Sequence, residues 1–313
     1  MFIFDAHVDT LSRLLAAGET LEDNRGHVNL NFLRQSKQGG AQFFAAFVSP
    51  QFYHGKALHA TMEMLDLFWR WMEEFPEDLV FAGTGSDIVE LRAKGKMACL
   101  LAIEGGEALE GKLANLRMFY RLGVRLLTLT WNHRNDLASG QLEGNDGAGL
   151  SLFGKEVVAE MNRLGMLVDV SHLNDAGFWD VLSVSEDPVV ASHSNARTLC
   201  NHPRNLTDEQ IRAIAAAGGV IGVNFCTHFL AKDRQATIHD VVEHIQYLAT
   251  VGGVDCVGLG SDYDGIGETP LGLANYSKTV ELADILHERG YGERDVAKIT
   301  GGNFLRVCKT VLG

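Results

Sequence analysis

Short apolar runs and amphipathic segments alternate along the whole chain. The apolar runs are FIFDAHVD (2–9), AQFFAAFV (41–48), MACLLAIE (97–104), VRLLTLT (124–130), MLVDVSH (166–172), PVVASHS (188–194), GVIGVNF (219–225) and VDCVGLGSD (254–262). Most are continuously apolar, the pattern of strands covered on both faces in a parallel sheet. The segments between them carry helix signals. LHATMEMLDLFWRWMEEF (58–75) has apolar residues at helical spacing and stops before Pro76. FGKEVVAEMNRLG (153–165) ends on a glycine suited to a helix C-cap. Thr207 with Gln210 forms a capping-box pattern at the head of TDEQIRAIAAAGG. TIHDVVEHIQYLATVGG and YSKTVELADILHERG continue the alternation, and GERDVAKITGGNFLRVCKTV closes it with a further helix.

Eight strands alternating with helices predict an α/β fold, a (β/α)8 TIM-type barrel with an additional C-terminal helix. A doubly wound sheet is the rival, but no G-x-G-x-x-G follows the first run. No Pro-, Ser- or Gly-rich linker divides the chain, so residues 1–313 read as one barrel domain. The segment WNHRNDLASGQLEGNDGAG (131–149) lacks periodicity, and loops of that length in compact domains are usually functional.

Composition narrows the partners. A formal net charge of −13 argues against nucleic acid and anionic membranes, both of which need a basic footprint. No run approaches the ~18 apolar residues of a membrane span, and the N-terminus lacks the basic and apolar regions of a secretory signal. Five cysteines are irregularly spaced without a CxxC pair, and Cys99, Cys226 and Cys256 lie in apolar runs, which predicts free thiols and a cytoplasmic location.

The ends of the apolar runs carry the chemistry. His7 and Asp9 end the first and Glu104 the third, His133 follows the fourth, and His172 and His193 end the fifth and sixth. Asn224 ends the seventh and Asp262 the eighth. In a barrel these ends meet at one rim, where barrel enzymes build their sites. His7 and Asp9 are two apart, so on a strand they project to the same side. Histidine and carboxylate are zinc ligands, and His7, Asp9, Glu104, His172 and His193 exceed what one ion needs. Two ions sharing one carboxylate would use all five.

A lone H-x-D, DVSH or ASHS is more often a surface or capping feature. Jointly they favour a metal, because buried charged groups are costly unless paired or metal-bound. Other histidines take structural readings. His239 and His244 are five apart, not the four of H-E-x-x-H, and His27, His54, His59, His202, His228 and His287 show no partner pattern. DYDG (262–265) resembles a calcium loop, but its twelfth position is Leu273 rather than glutamate.

These residues resemble the membrane (renal) dipeptidase family of the amidohydrolase superfamily. The matching motifs are DAHVD (5–9), IEGG (103–106), TWNHRN (130–135), DVSH (169–172), SHSN (192–195), PRNLTD (203–208), GVNF (222–225) and GSDYDG (260–265), in family order across nearly the whole chain. The resemblance implies two zinc ions, one on His7 and Asp9, the other on His172 and His193, bridged by Glu104 and a hydroxide. His133 would contact the scissile carbonyl and stabilise the oxyanion. Arg204 would bind the substrate's terminal carboxylate, for which a planar fork is suited. Asp262 would take the hydroxide proton and pass it to the leaving amine.

The implied substrate is a free dipeptide, with an L- or D-residue at its C-terminal position. The expected partners are that small molecule alone, with no nucleic acid and no membrane; a homo-oligomer is left open. Two rivals remain. One is a metal-dependent hydrolase of another amide or a lactone, such as an N-acyl amino acid. The other is a non-catalytic ligand-binding barrel, against which the joint presence of ligands, acid and oxyanion group speaks. Side-chain preference and the identity of the divalent ion are not legible at this level.

Overall fold

The computed structural model describes residues 1–35, 39–53, 55–144 and 147–313. The strands are β1 (Ile3–Val8), β2 (Gly40–Phe47), β3 (Leu79–Phe81), β4 (Met97–Glu104), β5 (Val124–Thr128), β6 (Leu167–Asp169), β7 (Val190–Ala191), β8 (Val220–Val223) and β9 (Val257–Leu259). All pairings between them are parallel, in the order β2-β1-β9-β8-β7-β6-β5-β4. Pairing of Gly40–Phe47 with Met97–Glu104 closes the ring, giving the (β/α)8 barrel that the eight apolar runs predict. β3 is an addition with no counterpart in the predicted elements: Leu79–Phe81 pairs with the start of β4, below the point where β5 joins.

The alternation of side chains sorts the core into two shells. Phe4, Ala6, Phe43, Ala45, Leu100 and Ala102 fill the barrel interior, while Ile3, Phe44, Ala46, Leu101 and Ile103 face the surrounding helices. Helix 57–74 buries Thr61, Met64, Leu65, Phe68 and Trp71, the three-to-four spacing of one helix face, and ends before Pro76. Helix 152–164 starts on a Ser151 cap and stops at Gly165 with φ 69°. Thr207 and Gln210 form the expected capping box. Helices 85–93, 113–121 and 175–184 are also present, without counterparts in the segments singled out above.

The last helix, Asn303–Val311, closes the lower end of the barrel. Phe304, Val307, Cys308 and Val311 join the interior cluster, with the Phe304 ring 5.5 Å from that of Phe4. Gly258 of β9 makes room for it, since a Cβ there would lie 2.5 Å from Phe304 Cδ2. The lower end is thus packed, and the opposite rim carries the polar residues. No helix among the described residues is long and apolar enough to cross a membrane.

Candidate active site

The first strand brings His7 and Asp9 to the rim by changing face. Phe2, Phe4 and Ala6 point inward, so strict alternation would turn His7 outward. The β1–β2 register instead slips between Asp5 and Val8, and Val8 joins the outer shell. This irregularity re-aims the strand end. His7 Nε2 lies 3.4 Å from Asp9 Oδ2 and 3.4 Å from Glu104 Oε2. Two other site residues occupy the left-handed region that non-glycine residues rarely adopt, His172 at φ 69° and Asp262 at φ 62°.

Glu104 sits at the centre. Its Oε1 is 2.9 Å from His172 Nε2 and 3.6 Å from His193 Nε2. Asp262 donates its backbone N–H to His7 O at 3.0 Å and accepts from Asn224 Nδ2 at 2.9 Å. Cys226 N–H donates to Asn224 Oδ1, which fixes the amide so that its NH2 faces Asp262. Gly265 leaves space for both acids: an added Cβ would overlap Asp9 Oδ2 and sit 2.5 Å from Asp262 Oδ1.

Beneath these groups lie two matching supports. Asp5 accepts from Ser261 N at 2.9 Å and Ser261 Oγ at 2.5 Å. Asp169 accepts from Ser192 N at 2.8 Å and Ser192 Oγ at 2.6 Å. Since the Ser192 hydroxyl is spent on Asp169, it accepts from His193 Nδ1 at 2.7 Å, leaving the lone pair on Nε2. Asn132 Oδ1 receives Gln141 Nε2 at 3.2 Å and can only accept from His172 Nδ1 at 2.8 Å. Both histidines therefore aim Nε2 lone pairs at the centre.

The electrostatics call for a cation. Burial, reinforced by Glu104's charge, pushes the Asp9 carboxyl well above its usual range. Burial also raises Asp262. Burial and the Arg204 charge press His172 down to about 4, and burial and the His7 charge lower His193 well below its ordinary value. Burial opposes a charge on His7, but Glu104 and Asp9 outweigh it and raise that imidazole well above normal. The neutral imidazoles of His172 and His193 and the crowded carboxylates are in forms that bind metal, and on His7 a cation would take the place of the proton that Glu104 and Asp9 favour. His7 Nδ1, His7 Nε2 and Asp9 Oδ1 are buried without hydrogen-bond partners among the described residues. His7, Glu104 and His193 hold donor atoms within 4.8 Å of one another, as do His7, Asp9 and Asp262. A divalent metal fits this donor set.

A cavity of about 980 Å³ opens over the centre, lined by Asp9, Glu104, His172 and Asp262 and by Arg204 to one side. Arg204 is 5% exposed, donates from Nη2 to His193 O at 3.2 Å, and keeps a buried Nε without a partner among the described residues. Phe229 lies under its guanidinium at 5.6 Å. His133 is placed differently. Its side chain is 53% exposed, with Nδ1 3.8 Å from Glu143, and it is not among the cavity's lining residues; Trp131 and Asn132 of the same segment are.

A family model described as membrane dipeptidase (peptidase family M19) matches residues 1–312. The chain belongs to that family. Dipeptidase 3 of Mus musculus is 37% identical over 293 residues, 92% of this chain and 58% of the mouse protein's length. The chain thus spans under three fifths of that relative. An uncharacterized dipeptidase of Schizosaccharomyces pombe is 38% identical, covering 90% of this chain and 72% of its own. Among solved structures, dipeptidase AC, a metallopeptidase of family M19, is 32% identical with a TM-score of 0.91, covering 100% of this chain and 99% of its own. A metallopeptidase of Rhodobacter sphaeroides, bound to a phosphinate mimic of the dipeptide L-Ala-D-Ala, is 30% identical with a TM-score of 0.92 over 99% of both chains.

Asn132, Asp169, Ser192, Asp5 and Ser261 are the functional supports absent from the expected set. DAHVD and DVSH do contain both acids, each preceding its histidine, which is the signal available for them. Of the histidines given structural readings, His244 is a core residue bonded through both ring nitrogens; His54 lies outside the described residues.

Proposed function

We propose that this protein is a binuclear zinc dipeptidase that hydrolyses free dipeptides and accepts an L- or D-residue at their C-terminal position. The observation that carries the reading is the convergence of two lone-pair-bearing histidines and Glu104 beside a buried arginine whose Nε has no partner among the described residues. His7 and Asp9 would hold one ion, His172 and His193 the other, and Glu104 would touch both. When bound, such a pair lowers the pKa of water and polarises a carbonyl.

Arg204 would hold the substrate's carboxylate through its fork. Asp262, kept in place by Asn224, would accept the proton of the attacking water and return it to the leaving amine. The carbonyl contact assigned to His133 requires the segment carrying it to turn inward on binding, and His133→Ala would then cost ~10²–10³ in kcat. Five cysteines, all free, support a cytoplasmic setting.

Length selection tests the reading. A tripeptide would place its carboxylate ~3.5 Å beyond the anchor, and a C-terminal amide lacks the charge. Kinetics on matched L,L and L,D dipeptides, a tripeptide and a dipeptide amide should show the free dipeptides strongly preferred. Equal turnover of all four would transfer the protein to the broader amidohydrolases.

A further inference from the structure

The cavity is larger and more apolar than a bare dipeptide backbone requires. At about 980 Å³ it reaches the top of the ~300–1,000 Å³ range of pockets that enclose drug-sized ligands. Its lining is also asymmetric. Arg204 lies in the connection after β7, and in the closed ring of eight strands β7 stands four places from β2, directly across the barrel. The wall on the β2 side is made by Phe47 at the end of that strand, Phe52 just beyond it, Met64 from helix 57–74, and Leu15 from helix 10–17. Trp131 extends it, with its ring 5.3 Å from that of Phe47.

This wall adjoins the reacting centre, since Phe47 is the register partner of Glu104. Two of its residues are among the more exposed large hydrophobics of the chain, Leu15 at 39% and Phe52 at 36%. Exposed apolar surface facing a cavity is stabilised when a ligand covers it. The charges nearby are already committed or peripheral. Arg13 pairs with Glu19 at 2.9 Å, and Glu63 is an exposed residue of the rim.

A dipeptide with its carboxylate on Arg204 and its scissile carbonyl over Glu104 must send its N-terminal residue toward this wall. We propose that Phe47, Phe52, Met64, Leu15 and Trp131 form a subsite for a large apolar side chain on the N-terminal residue of the substrate. The assignment rests on the dipeptidase reading and adds the substrate class to it.

A series of Xaa-Ala dipeptides with Xaa Gly, Ala, Leu, Phe, Asp and Lys tests it on the metal-loaded protein. Burial of a Leu or Phe side chain should raise kcat/KM over Gly-Ala by about 10–100-fold. Phe47→Ala and Met64→Ala should each shrink the Phe-Ala to Gly-Ala ratio, and the wild-type series decides the matter alone if a variant does not fold. A flat series, or preference for Asp or Lys, overturns the apolar subsite while leaving the dipeptidase reading intact. If no member is cleaved, the dipeptidase reading falls and takes the subsite with it.

Discussion

His172 Nε2 and His193 Nε2 lie 2.8 Å apart although each ring has already committed its Nδ1 proton elsewhere. Two lone pairs at that separation repel unless a cation lies between them, so the polar layer below the site is organised for metal. Ser192 sets this arrangement for His193, because its own hydroxyl is fixed by Asp169. Ser192→Ala should weaken metal binding by ~10–100-fold, the usual consequence of losing a partner behind a ligand. Competition against a chromogenic chelator measures it, and unchanged affinity would show that the tautomer is set without Ser192.

Glu104 and Asp262 should separate cleanly by metal content. Glu104 faces His7 through one oxygen and His172 through the other, so Glu104→Gln should lower metal content from about two ions per chain at both positions. Asp262→Asn should retain metal while kcat drops ~10²–10⁴-fold. Elemental analysis beside steady-state kinetics distinguishes the two. A Glu104→Gln variant with full metal and full activity, or an Asp262→Asn variant with normal kcat, contradicts the assignment concerned.

His244 gives the protein an acid-sensitive joint away from the metal. Its Nδ1 accepts from Ala196 N–H and its Nε2–H donates to Leu230 O, each at 3.1 Å, so it is held as one neutral tautomer. Burial presses its pKa from 6.5 down to about 4. Between those values the unfolded chain binds a proton that the folded chain refuses, so stability falls as pH drops through this window. The loss is about 2 kcal/mol between pH 7 and pH 5. Urea unfolding of His244→Gln should show that much less dependence on pH than the wild type. Equal slopes would place the acid sensitivity elsewhere.

The barrel was legible because eight of its strands are apolar on both faces and end in polar residues. β3 escaped because three residues carry no usable period. That His7 and Asp9 share a side followed from their spacing, but the side itself did not. Alternation from Phe4 and Ala6 gives the wrong face, and the register slip that corrects it leaves no mark in the sequence. The Asp5–Ser261 support joins residues 256 positions apart, and only closure of the ring brings them together. In the segment after β5, no periodicity tells which of Trp131, Asn132 and His133 turns inward.

Arg204 offers the sharpest test of how the substrate is held. Its charge is buried, one Nη is bonded to a backbone carbonyl, its Nε has no partner among the described residues, and Phe229 supports the plane from below. Lysine at this position would keep the charge and lose the fork. Charge-assisted hydrogen bonds contribute about 1.5–3 kcal/mol, so Arg204→Lys should lower kcat/KM for a free dipeptide by ~10–100-fold. The matching C-terminal amide has no carboxylate to lose, and its rate, expected to be low from the start, should change far less. Protein and substrate then form a double-mutant cycle whose coupling isolates the anchor from general damage. Equal losses on both substrates would mean that Arg204 acts through the His193 carbonyl it holds, as a support for the metal centre, and that the carboxylate is recognised by another group.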